Sequence, residues 1–101
     1  MEPEDRALSD WLSDAGDTLG DRGLEYGDPR DNLLRIYRIS RVLGIQLRDP
    51  ADVALLFIAT KLSRMVESPG REDSYIDLIG YAAILGQSRY TDWNEIGRAH
   101  V

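Results

Sequence analysis

Two Asp-Pro pairs, each just ahead of a run of helically spaced apolar residues, constrain this chain more than any other feature. They are Asp28-Pro29 and Asp49-Pro50. An aspartate carboxylate accepts hydrogen bonds from the orphan amides at a helix start, while proline's fixed φ and missing N–H suit the first helical position. Asp31 and Asp52 stand three residues after the two caps, where the helix dipole favours negative charge. The apolar spacing behind each cap predicts helices over 29–43, ended by Gly44, and over 50–67, ended before Pro69 and Gly70.

Two further helices follow from periodicity alone. Leu8, Trp11, Leu12, Ala15 and Leu19 share one helical face, which predicts a helix over 3–19, with Gly20 and Gly23 ending it. Tyr75, Ile76, Leu78, Ile79, Ala82, Ala83 and Leu85 predict a fourth over 72–85, closed by Gly86. The run from Val53 to Ala59 is apolar nearly all the way round. Such a helix is expected to be the central, most buried element of a bundle, or to be covered by a second subunit. The expected fold is all-α, a compact four-helix bundle-like domain over 1–95. A chain of 101 residues buries only a modest share of its surface, so dimerisation to a homo-oligomer would complete such a bundle.

The residue types that are missing narrow the chemistry. There is no cysteine, and the single histidine is His100. Disulfides, thiolate nucleophiles and Cys-based zinc sites are therefore excluded, and imidazole catalysis would rest on one residue beside the chain end. The last six residues, Ile96-Gly97-Arg98-Ala99-His100-Val101, can be encoded by the codons of a short-read sequencing adapter. They are expected to be a non-native tail, unstructured and removable.

The formal net charge is -6, and its distribution is uneven: residues 1–31 hold ten acids against three bases, the remainder eight against nine. An acidic whole disfavours nonspecific nucleic-acid binding, yet a local basic patch suits a phosphorylated small molecule. No apolar run approaches the roughly 20 residues of a membrane span, and the acidic N-terminus is unlike a secretory signal. No membrane partner is expected, and the expected location is cytoplasmic.

Polar residues on apolar helix faces carry the functional lead. Lys61 shares a face with Ala54, Phe57, Ile58 and Met65, and Arg64 is its neighbour three residues on. Asp73, Asp77 and Tyr81 recur at four-residue spacing beside Gly80, and Asn32 shares a face with Ile36, Ile39 and Leu43. Buried charge must be paired, so one reading has Lys61 and Arg64 neutralising Asp73 and Asp77; the other makes the four a ligand site. Asp73 also suits an N-cap. Arg35, Arg38 and Arg41 read as a solvated fan, and Trp11 as core.

Three blocks, Arg22-x3-Tyr26-Gly27-Asp28-Pro29-x2-Asn32, Lys61-x2-Arg64 and Asp73-Ser74-x2-Asp77-x2-Gly80-Tyr81, resemble a family of small helical proteins common in bacteriophages and prophages, of unknown function. The likeness covers residues 22–86. More distantly, the helical bundle with inward acids resembles the MazG-like all-α nucleoside triphosphate pyrophosphohydrolases, which hold Mg²⁺ through E-x-x-E and E-x-x-D motifs. The sequence departs from both motifs, with Arg35 and Arg38 where acids would stand and Asp73 and Asp77 four apart. The expectation is a phage-type nucleotide- or phosphate-handling module. In it Lys61 and Arg64 would contact phosphate, Asp73 and Asp77 would hold Mg²⁺ or orient those cations, and Arg22, Tyr26, Asp28, Asn32 and Tyr81 would shape the pocket. The alternative is a noncatalytic helical interaction or homodimerisation domain with a structural ion-pair network.

Overall fold

The two Asp-Pro caps behave as their chemistry requires. In this computed structural model, which describes residues 6–98, Asp28 accepts a hydrogen bond from the Arg30 amide at 2.9 Å, and Asp49 accepts one from the Ala51 amide at 2.8 Å. Behind them run α2 (Pro29–Val42) and α3 (Ala51–Glu67), preceded by α1 (Leu8–Tyr26) and followed by α4 (Glu72–Arg89) and a short α5 (Trp93–Arg98). No strand occurs among the described residues, and the domain is all-α and bundle-like.

Two helices outrun the lengths expected from their glycines. α1 continues through Gly20 and Gly23 to Tyr26, and α4 continues through Gly86 to Arg89. A glycine inside a helix costs only about 1 kcal/mol against alanine, and tertiary contacts on the extra turns outweigh it. On α1 the extra turns carry Arg22, paired with Asp77. The chain finally leaves α1 at Gly27, whose φ of 83° is one that L side chains rarely adopt. The proposed start of α1 at residue 3 lies outside the described residues; within them the helix begins at Leu8.

α4, rather than α3, is the central element. It packs against α1, α2 and α3, while α3 packs chiefly on α4. Only the first turn of α3 is fully enclosed, with Ala51, Asp52, Val53 and Ala54 all buried. Leu33, Val53 and Ala54 form the core centre, surrounded by Ile36, Tyr37, Leu47, Phe57, Ile84, Leu85 and Trp93. The expectation that α3 would be the most buried helix holds for its start and fails for its outer face, where Leu55, Leu56, Leu62 and Val66 are exposed.

Ion pairs fasten the ends of the bundle. Asp52 accepts from the Arg48 amide and guanidinium and lies 3.6 Å from Arg89, tying the start of α3 to the end of α4. At the other end Arg6 pairs with Asp14 and Glu72 and lies over the Trp11 ring, which meets Tyr75 edge-on. Trp11 is thus half-buried beneath a cation.

The tail departs from expectation. Ile96, Gly97 and Arg98 belong to α5, started by Asp92, which accepts from the amides of Asn94 and Glu95. α5 lies on α2, with Gly97 buried so tightly that a Cβ there would stand 2.8 Å from the Arg38 guanidinium. The remaining tail residues, His100 included, lie outside the described residues.

Candidate functional site

The turn between α1 and α2 is short because Gly27 reverses the chain in one residue and Asp28 starts the next helix at once. That brings the end of α1 and the start of α2 over the middle of α4, and the space between them is a cavity of about 430 Å³. Such a volume lies in the range of small-molecule sites. The floor is apolar, built by Ala15, Leu19, Leu33, Phe57, Ile76 and Ile84. Tyr81 adds an aromatic wall, its ring 5.2 Å from that of Phe57. Around the mouth stand Arg22, Tyr26, Asp28, Asp31, Asn32 and Arg35.

Asp77 organises the wall between α1 and α3. One carboxylate oxygen lies 2.8 Å from Lys61 Nζ and the other 3.2 Å from an Arg22 guanidinium nitrogen. Lys61 and Asp77 side chains are each 13% exposed, whereas the Arg22 side chain is 50% exposed. The lysine therefore serves mainly to pair the carboxylate inside the bundle. The arginine reaches the same carboxylate from the more exposed side and lines the cavity.

Asp28 is likewise committed. Its carboxylate caps α2 and takes hydrogen bonds from Nε and a terminal nitrogen of Arg30, the shortest 2.7 Å. The Arg30 hydrogen bond holds the Asp28 carboxyl below its ordinary value against the opposing effect of partial burial. Asp28 is an anchored wall of the mouth, ionised at neutral pH.

Of the residues singled out by sequence, Arg22, Tyr26, Asp28, Asn32, Asp77 and Tyr81 all line the cavity. Asn32 is exposed, and it is into the cavity mouth that it is exposed. Lys61, Arg64 and Asp73 do not line it. Lys61 lies behind Asp77, and Arg64 and Asp73 are exposed elsewhere. Asp73 sits in the first turn of α4, where the cap residue is Arg71 and makes no side-chain cap hydrogen bond. The expected Mg²⁺ pair does not fit this geometry, because both Asp77 oxygens already face cations and Asp73 stands outside the cavity. Among the described residues no group of three or more potential metal ligands gathers.

Sequence reasoning missed Arg35, which it assigned to a solvated fan. Arg35 follows Asn32 by three residues, so the two share a face of α2, and that spacing was the available signal. It also missed the apolar floor, whose members come from four helices and share no local pattern.

Comparison with known proteins places this geometry in a phage setting. The chain is 34% identical over 68 residues to the Gene 55 protein of Mycobacterium phage L5, an alignment covering 65% of this chain. The same alignment spans 43% of that phage protein, less than half its length. No solved structure matches. No helix among the described residues is long and apolar enough to cross a membrane. Residues 11–89, which carry α1 from Trp11 onward, α2 to α4 and every lining residue of the cavity, match the family described as domain of unknown function DUF6378, and the chain belongs to that family.

Proposed function

We propose that this domain is a phage-type binding module for a phosphorylated small molecule of nucleotide class. The observation that carries the reading is a cavity with an apolar, aromatic floor and two exposed arginines at its mouth. A base or comparable flat ring fits between Leu19, Phe57 and Tyr81, and its phosphate meets Arg22 and Arg35. Guanidinium groups favour that role because they offer planar paired donors to phosphate oxygens. This assignment moves the phosphate contact from Lys61 and Arg64, as the sequence suggested, to the two arginines that reach the mouth. The likeness to MazG-like pyrophosphohydrolases extends here only to helical nucleotide handling. Asp28 and Asp77 at this cavity are engaged by arginine and lysine, so binding without metal-assisted hydrolysis is the activity the residues support.

Thermal-shift measurement against nucleoside mono-, di- and triphosphates, with and without Mg²⁺, tests the proposal. A ligand near a hundred times its Kd adds about 2.7 kcal/mol, which is several degrees for a domain of this size. The shift should persist in chelator and shrink in Arg35→Ala. A flat response to all three classes would overturn the reading.

A second reading, a noncatalytic interaction domain, has support in the burial of the Lys61–Asp77 pair. A double-mutant cycle giving a coupling above about 2 kcal/mol, with no nucleotide-dependent shift in the unmutated chain, would favour it.

A further inference from the structure

The outer face of α3 remains without a partner in the monomer. Leu55, Leu56, Leu62 and Val66 are 38%, 52%, 47% and 85% exposed, and Ala59 between them is exposed too. Leu55, Ala59, Leu62 and Val66 follow the four-three-four spacing of a helix-pairing seam, with no charged side chain at any of these positions. A contiguous apolar stripe of this kind on a soluble surface marks an interaction site. The cavity lies on the other side of the helix, where Phe57 faces inward, so the stripe is independent of the proposed ligand site.

We infer that this face is a homodimer interface in which α3 packs antiparallel on α3 of a second copy. The stripe is complementary to itself in that direction. Reversing the helix about its midpoint sets Leu55 against Val66 of the second copy and Ala59 against Leu62, so a small residue faces a large one twice. The flanks then pair Leu56 with Ser63 and Ile58 with Met65, and no like charges meet. Parallel pairing would set Ala59 on Ala59, leaving a gap at the centre, and would align the two helix dipoles unfavourably. An uncharged seam offers nothing for a charged foreign partner to read.

The burial in the monomer points the same way. Among the described residues the buried apolar core is confined to Ala15, Leu33, Leu34, Ala51, Val53 and Ala54. A second copy on α3 would supply the cover that the outer half of that helix lacks. The seam is about 17 Å long, which places the interface at the small end of the range.

Sedimentation equilibrium of the full chain at micromolar concentration tests this. The unmutated protein should dimerise, and Ala59→Glu, on an exposed position, should leave the fold intact and weaken the dimer at least about tenfold. Cysteine cross-linking reads the register, since the chain has no cysteine of its own. Leu55→Cys combined with Val66→Cys should form intermolecular disulfides on oxidation, while either alone should not, because like positions lie about 17 Å apart. A monomeric unmutated chain would overturn the interface and leave the face to another partner. A dimer indifferent to Ala59→Glu would overturn its location, and cross-linking by Leu55→Cys alone would overturn the antiparallel register.

Discussion

Asp77 shows how one side chain can belong to both the core and the site. It stands on α4, neutralises Lys61 from α3 and Arg22 from α1, and lines the cavity. Asp77→Leu strands a nearly buried lysine, which typically costs about 3 kcal/mol or more, whereas Lys61→Met leaves the carboxylate its half-exposed Arg22 partner and should cost less. The double variant is expected to regain most of that loss in chemical denaturation. At the turn, Gly27→Ala should cost about 1–2 kcal/mol because its φ of 83° is strained for any residue with a Cβ. Asp28→Ala should cost about 1 kcal/mol through the lost cap.

Among the elements, α1 carries its glycines where nothing requires them. A Cβ at Gly16 or Gly20 would meet no atom within 4 Å, and both sit inside the helix with ordinary backbone angles. Gly16→Ala and Gly20→Ala should each raise stability by about 0.5–1 kcal/mol, measurable as a higher denaturation midpoint. α5 behaves in the opposite sense. Truncation after Glu95 removes the half-buried Ile96 and the Gly97 backbone from α2 and uncovers Leu34, so the melting temperature should fall. An unchanged melting temperature would restore the expectation of a dispensable tail.

For the whole molecule, acid sensitivity follows from two carboxylates. Hydrogen bonds from Arg30 hold Asp28, and from Arg48 hold Asp52, below their ordinary carboxyl value of 3.8. A group whose folded pKa is depressed contributes stability above its unfolded pKa and loses it as pH falls through the folded value. Stability should therefore be level near neutral pH and decline below about pH 4. The decline should be shallower in Asp52→Asn, whose side chain no longer titrates. Asp52→Ala should itself cost about 1–3 kcal/mol, since it leaves the Arg48 amide without its acceptor.

Local chemistry determined the helical class, the starts of α2 and α3 and the inward phase of Lys61, since caps and periodicity act within a few residues. The start of α5 was legible in the same way, because Asp92 precedes Trp93 and Glu95 follows it by three. What spacing left open was which charges would meet. Lys61 and Arg64 are three residues apart, about 60° around the helix, and that angle separates the lysine buried against Asp77 from an arginine in solvent. The length of α1, the central place of α4 and the entry of Arg35 into the cavity were likewise decided by packing. Each depends on contacts between helices far apart in sequence, and those free energies outweigh the local preferences of glycine, of an apolar run or of an arginine fan.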